Sequence, residues 1–208
     1  MKRLISSVLA VLGIVVYAAA APVFFTDSSF SGAGGETTFY NDTYGITLDA
    51  EPKDHWLFPD AVLTWNGDFG LGIDFGLIDE SDEIDYPEIL TITFDNEVNL
   101  ESIFISKLFH DEEKVLFWTL EWDEEGTYEL STGETGDFIS ENENGELIID
   151  INKTVKSVSL FAKEEFGGFL TNDFAVRGVS YTSVPEPAVL SLLGISLLGL
   201  GFFRSRKK

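Results

Sequence analysis

The chain of 208 residues contains no cysteine, one methionine, two histidines, and only 13 basic residues against 36 acidic ones. Without cysteine it forms no disulfide, has no thiol nucleophile and cannot build a cysteine-ligated zinc site. A glycine-rich phosphate loop, a Gly-x-Ser-x-Gly elbow and a His-Glu-x-x-His helix are also missing. Carboxylates are so numerous that pairs at glycosidase spacing arise by chance. We therefore predict that the protein is not an enzyme.

The scarcity of basic residues is more pronounced in the body of the chain than in the whole. Six of the 13 basic residues and one of the 36 acidic residues lie in the two terminal segments. Residues 21–183 therefore carry 7 basic and 35 acidic residues, a net charge of −28. This charge repels the phosphate backbone of nucleic acids, so no nucleic-acid partner is expected. It favours solubility and contacts with cations or neutral polymers.

The N-terminus has the three regions of a secretory signal peptide. Lys2 and Arg3 are basic, the segment 4–17 is largely apolar, and Ala18 and Ala20 supply the small residues that signal peptidase recognises. Cleavage after Ala20 fits best, because cleavage one residue later would place Pro22 directly after the cut bond. Residues 1–20 are thus predicted to be a signal helix that is removed by signal peptidase.

The C-terminus also has three parts in a fixed order. A Val-Pro-Glu-Pro motif at 184–187 is followed by an uncharged apolar segment at 188–203 and a basic tail at 204–208. The prolines predict an extended, exposed break after the folded body. A helix of 16 residues would be about 24 Å long, shorter than a hydrocarbon core of about 30 Å, and snorkelling basic side chains can make up part of the difference.

These three parts resemble the PEP-CTERM sorting signal of exported bacterial proteins. The resemblance implies processing by a membrane-embedded, exosortase-type transpeptidase. It also implies transient anchoring through the transmembrane helix 188–203, followed by release to the cell surface or extracellular matrix. A simple tail anchor is the alternative. The predicted sorting residues are Val184, Pro185, Glu186, Pro187, Arg204, Arg206, Lys207 and Lys208.

Residues 21–183 have the sequence pattern of a β-protein. Leu90, Ile92 and Phe94 alternate with threonines, and similar alternation occurs at 147–151 and 157–160. Asn66-Gly67 and Asn144-Gly145 predict tight turns, Asp123–Gly126 predicts a turn that leads Trp122 back into 127–130, and Arg177-Gly178 predicts a bulge. No helical period is evident. The predicted fold is an antiparallel, jelly-roll-like β-sandwich at 21–183, flanked by the signal helix and the C-terminal transmembrane helix.

An acidic segment between two predicted strands is a candidate calcium site. Ca²⁺ takes six to eight oxygen ligands, and clustered carboxylates gain most from a cation. The spacing differs from that of an EF-hand, and a solvated acidic loop that protects sheet edges is the alternative. The candidate ligands are Asp79, Glu80, Asp82, Glu83 and Asp85.

Tryptophans provide the candidate sugar-binding residues. Trp118 and Trp122 share a strand face with Leu116 and Leu120, which favours packing in the core. Trp56 and Trp65 flank loops and are the better candidates for stacking on sugar rings.

Two functions of the mature domain remain open from the sequence. One is a structural or adhesive component of the cell surface or exopolysaccharide matrix. The other is a carbohydrate-binding module for exopolysaccharide, with Ca²⁺ as its only candidate cofactor. An exposed planar row of aromatic side chains would favour the second function, and a featureless acidic surface would favour the first.

Overall fold

A computed structural model describes residues 21–52, 61–74, 83–86, 88–115, 118–140, 144–163 and 172–184, with the backbone alone between 110 and 122. Most of the described residues lie in antiparallel β-strands. The elements of the described residues are a short 3-10 helix at Ser28–Ala33 and the strands β1 Ala21–Phe24, β2 Thr38–Asn41, β3 Ile46–Pro52, β4 Val62–Asn66, β5 Gly70–Asp74, β6 Glu88–Ser106, β7 His110–Val115, β8 Trp118–Asp123, β9 Glu125–Leu130, β10 Thr135–Ile139, β11 Leu147–Ala162 and β12 Ala175–Ser183.

Ten of these strands belong to one open sheet. Its main order is β10-β9-β11-β6-β12-β5-β4, with β1 added to β12, β3 to β6 and β2 to β3, while β7 and β8 form a separate pair. The prediction of an antiparallel β-protein is therefore confirmed, whereas the jelly-roll arrangement is not. Within the described ranges no helix is both long and apolar enough to span a bilayer. The predicted signal helix 1–20 and transmembrane helix 188–203 lie outside those ranges.

Two long strands, β6 and β11, run through the centre of the sheet. The first half of β6 pairs with β3 and its second half with β12, while β11 pairs along its other edge. Alternate side chains of β6 are buried, including Leu90, Ile92 and Ile103, and between the halves residues 95–97 are exposed. The strand therefore gives the two groups of neighbouring strands a continuous core.

The predicted turns have mixed outcomes. Asn66-Gly67 joins β4 to β5, and Gly145 has a left-handed φ of 66° just before β11, as the sequence predicts. The predicted turn at Asp123–Gly126 is wrong as a hairpin. Strand β8 pairs with β7, whereas β9 pairs with β10 and β11. The chain passes from one sheet to the other at this point, because β9 pairs with the two strands that follow it and not with β8.

The predicted bulge in the last strand is confirmed and positions β1. The register of β12 against β6 shifts between Val176 and Gly178. Beyond this shift, Phe24 of β1 lies opposite Gly178, and Ala21 lies opposite Tyr181. Because the two strands are antiparallel, Ala21 and the end of β12 lie at the same end of the sheet. The first and last strands of the described body are thus direct neighbours.

Candidate functional site

Carboxyl groups from three separate parts of the chain meet beside the end of β6. Glu83 forms an ion pair of 2.6 Å with Lys107, and its backbone carbonyl accepts a hydrogen bond from Ile73. Ile84 donates its N–H to the carbonyl of Phe174 at 2.6 Å. This hydrogen bond holds residues 83–86 against the residue that directly precedes β12. This contact brings Asp173 next to Glu83. Residues 83–86 thereby connect β5 to β12.

The ionisation of Asp173 differs most from that of an ordinary aspartate. Burial raises the pKa of its carboxyl group to about 9, with further contributions from the charges of Glu83, Glu124 and Asp85 and from a hydrogen bond with Glu83. The neutral form is therefore the stable one at neutral pH, because a second charge here would be poorly solvated and would face other carboxylates. Asp173 was not among the residues that the sequence indicated.

Hydrogen bonds to the backbone fix the remaining members of this group. Glu88 is fully buried, and its Oε2 accepts a 2.8 Å hydrogen bond from the N–H of Asp85. Asn172 is also buried, accepts a hydrogen bond from the N–H of Glu125 at 2.9 Å and donates one to the carbonyl of Lys163 at 3.0 Å. The observed arrangement is a polar network that joins the 83–88 segment, β9 and the start of β12.

The candidate calcium ligands lie partly within this network. Asp79, Glu80 and Asp82 are outside the described residues. Of the other two, Glu83 is paired with Lys107, and Asp85 is only 6% exposed. In the described parts of the chain, no group of three or more His, Cys, Asp or Glu residues could hold a metal ion. Calcium binding by the 79–85 segment stays a prediction.

The candidate sugar-binding tryptophans are only partly visible. Trp56 lies outside the described residues, as do the side chains of Trp118 and Trp122. The indole N–H of Trp65 donates a 2.7 Å hydrogen bond to the carbonyl of Phe25, and the ring packs against the core while remaining partly exposed. These contacts give Trp65 a structural role, and sugar binding by either residue stays a prediction.

The final strand connects the folded body to the predicted sorting motif. β12 is hydrogen-bonded to β6 along one edge, and to β1 and β5 along the other. Its last residue, Ser183, lies opposite Val98, and the N–H of Val184 lies 3.4 Å from the carbonyl of Glu97. The predicted motif at 184–187 therefore begins where a well-paired strand of the sheet ends. The cleavage residues Ala18 and Ala20 and the sorting residues beyond Val184 are outside the described part.

Comparison with known families gives a match at this end of the chain. The model of the PEP-CTERM protein-sorting motif matches residues 183–207. Comparisons with curated proteins and with solved structures give no match.

The match and the sequence pattern agree on the residues involved. The matched range begins at the last residue of β12 and includes the proline motif, the apolar segment and most of the basic tail. This motif implies export, sorting to the cell surface and processing by an exosortase, a transpeptidase-type partner. The chain therefore carries a PEP-CTERM protein-sorting motif at residues 183–207.

Proposed function

We propose that this protein is a non-enzymatic component of the cell surface or exopolysaccharide matrix, with a structural or adhesive role. Signal peptidase removes residues 1–20, the helix 188–203 holds the chain in the membrane, and exosortase processing at the 184–187 motif releases the body to the surface. The observation that carries this proposal is the position of the sorting motif directly after β12.

The placement of β12 in the sheet suits a body that is held by its C-terminus. A pulling force applied at Ser183 enters a strand that pairs with β6 over much of its length. The neighbouring strand β1 adds a second row of hydrogen bonds to β12. Several hydrogen bonds along β12 would then share the load, which is useful for a protein that connects a cell to its surroundings.

The charge of the body agrees with an extracellular role without catalysis. A net charge of −28 on residues 21–183 keeps copies apart and maintains solubility outside the cell. The most perturbed member of the described acidic network, Asp173, is engaged with Glu83. We infer that this network stabilises the fold.

The second candidate function is a carbohydrate-binding module for exopolysaccharide, in which Ca²⁺ could support the 79–85 segment. The observation that favours it is a set of exposed apolar side chains on one face of the sheet, including Phe24 at 41% and Ile148 at 60% exposure. Exposed apolar groups that lie together mark interaction surfaces. This function and the adhesive one are compatible in a single protein.

The test of the proposed function is the substitution Glu186→Ala in the full-length chain, expressed in a bacterium that contains an exosortase. The variant should be exported normally but accumulate as unprocessed protein in the membrane fraction, because the proline-flanked carboxylate is the expected recognition element. Immunoblotting of membrane, surface and medium fractions measures this.

The matched control is Glu129→Ala, which removes an exposed glutamate from β9. It should be released like the parent chain. Equal release of the Glu186 variant and the parent would contradict the sorting role of the motif. A parent chain found only in the cytoplasm would contradict export.

A further inference from the structure

One face of the sheet presents an uncharged row of side chains across four strands. Ile148 of β11 lies opposite Phe104 of β6, Phe104 lies opposite Gly178 of β12, and Gly178 lies opposite Phe24 of β1. Directly opposed residues share a face of the sheet. These four residues, Ile148, Phe104, Gly178 and Phe24, are called the outer row below.

The outer row is accessible and nearly continuous. Phe24 is 41% and Ile148 60% exposed, Phe104 is partly exposed, and the rings of Phe24 and Phe104 lie 5.5 Å apart between centroids. Gly178 has no side chain, so the two rings approach each other above it. Four adjacent strands at about 4.8 Å spacing give the row a length of roughly 14 Å.

Polar groups lie on both sides of the outer row. On one side, Ser102 donates a 3.2 Å hydrogen bond to Asp150, and Ser180 lies opposite Ser102 on the next strand. On the other side, Arg177 forms an ion pair with Glu146. An apolar strip, in which the two rings are tilted by 49° to each other, thus lies between hydroxyl, carboxylate and guanidinium groups.

Charge restricts what can bind this face. The body carries a net charge of −28, so nucleic acids, acidic polysaccharides and anionic membranes are repelled. A second copy of the chain would bring Asp150 and Glu146 of both copies to the same interface. A neutral polysaccharide suits the face better, because its sugar rings have apolar C–H faces and hydroxyl edges.

We propose that the outer row is a binding surface for a neutral polysaccharide. Sugar rings stack on Phe24 and Phe104 and contact Ile148, while their hydroxyl groups form hydrogen bonds with the flanking Ser102, Asp150 and Arg177. This inference extends the proposed adhesive role by naming the surface and the chemical class of its partner. It uses none of the tryptophans that the sequence suggested.

Affinity electrophoresis of the full-length chain, purified in mild detergent, tests this inference. Native gels would contain dextran, hydroxyethyl cellulose or galactomannan as neutral polymers, or alginate as an acidic one. At least one neutral polymer should retard the protein, and alginate should not. The variant Phe24→Ala with Ile148→Ala should bind about tenfold more weakly, since loss of about 1.4 kcal/mol corresponds to a factor of ten.

Two further variants separate loss of binding from loss of folding. Phe24→Leu keeps an apolar side chain at the position but removes the ring, so it should weaken binding while leaving the melting temperature close to that of the parent. Tyr40→Ala removes an aromatic side chain that is 52% exposed on β2, away from the row, and should bind like the parent. Equal weakening by the Phe24→Leu and Tyr40→Ala variants would overturn the proposal.

Other results would also overturn it. If none of the three neutral polymers retards the parent chain, or if alginate retards it as strongly, the face has a different partner. If sedimentation shows a dimer that the double variant abolishes, without retardation of the parent, the partner is a second copy. The gels use purified protein and do not depend on sorting, so the binding proposal and the sorting proposal fail independently.

Discussion

At Gly178 the backbone of β1 comes so close to β12 that a side chain would not fit. A Cβ atom added there would lie 2.3 Å from the carbonyl oxygen of Val23 and 3.0 Å from the Cα of Phe24. Both are backbone atoms, which cannot move aside as the end of a side chain can. The bulge at Arg177 and Gly178 therefore allows the backbone of β1 to pack closely against β12.

We predict that Gly178→Ala destabilises the protein by about 1–3 kcal/mol, the usual result of overpacking a filled site. Urea denaturation of the purified chain measures the change. Gly34→Ala is the control, because an added Cβ there meets its nearest atoms at 3.8 Å or more and φ is −60°. Equal stability of the two variants would show that the backbone of β1 does not pack closely against Gly178.

The carboxyl group of Asp173 makes the stability of the protein depend on pH. Burial, together with Glu83 and Glu124, raises its pKa to about 9, while an unfolded aspartate titrates near 3.8. Between these values the folded state holds a proton that the unfolded state has released. The contribution of this group is therefore complete below about pH 4 and is lost as the pH rises towards 9.

Asp173→Asn should reduce the loss of unfolding free energy between pH 5 and pH 9, since asparagine has no proton to release. Urea titrations at several pH values in this window measure it, with Asp42→Asn, the same substitution at an exposed position, as the control. The pKa of Asp137 is lowered by hydrogen bonds from Lys163 and Thr127, so its contribution has the opposite sign and is lost as pH falls. Identical pH profiles for the Asp173 variant and the parent would contradict the buried, neutral carboxyl.

Among the elements, β6 shows what the sequence could and could not predict. The alternation of Leu90, Ile92 and Phe94 predicted a strand, and these side chains are almost fully buried. The residues that follow, Asp95, Asn96 and Glu97, have the polarity of a loop. The structure continues β6 through these exposed residues. β11 pairs with both halves of β6, and such partners cannot be identified from local residue patterns.

The acidic network around Asp173 could not be predicted from local residue patterns either. Asp173 is one carboxylate among many in the sequence, and only the fold brings Glu83 and Glu124 near it. The C-terminal sorting motif, in contrast, could be identified directly, because charge, length and proline spacing within a short stretch define it. The alternation in the strands and the sorting motif were therefore interpreted correctly, whereas the strand pairing at Asp123–Gly126 and the neighbours of Asp173 were not predicted.

At the scale of elements we predict that β1 can be released without unfolding the sheet. Val23 is only 6% exposed, so Val23→Asp would bury a carboxylate and detach β1 from β12. Hydrogen exchange, followed by mass spectrometry, should accelerate in 176–182 and remain slow in 157–160 of β11. Pro22→Asp, at an exposed neighbouring position, should change neither segment.

Two other results would contradict this prediction. Equal acceleration in both segments would mean that β1 is not a separable strand. Unchanged exchange in 176–182 would mean that β1 does not protect β12.

The molecule as a whole combines an acidic β-sheet body with a sorting motif at residues 183–207. We expect residues 21–183 to repel nucleic acids and acidic surfaces, because acidic residues outnumber basic ones there by 35 to 7. Its final strand leads directly into the sorting motif. The first strand of the described body lies beside that final strand, so both ends of the body are at one end of the sheet.

The most direct test of this account is the mass of the C-terminal peptide of the released protein. The full-length chain would be expressed in two otherwise identical bacterial hosts, with and without an exosortase, and collected from the cell surface and medium. The account predicts that protein from the exosortase-containing host ends near the 184–187 motif and lacks residues 204–208, while the other host retains them in the membrane. Released protein that still carries Arg204 to Lys208 in the exosortase-containing host would contradict it.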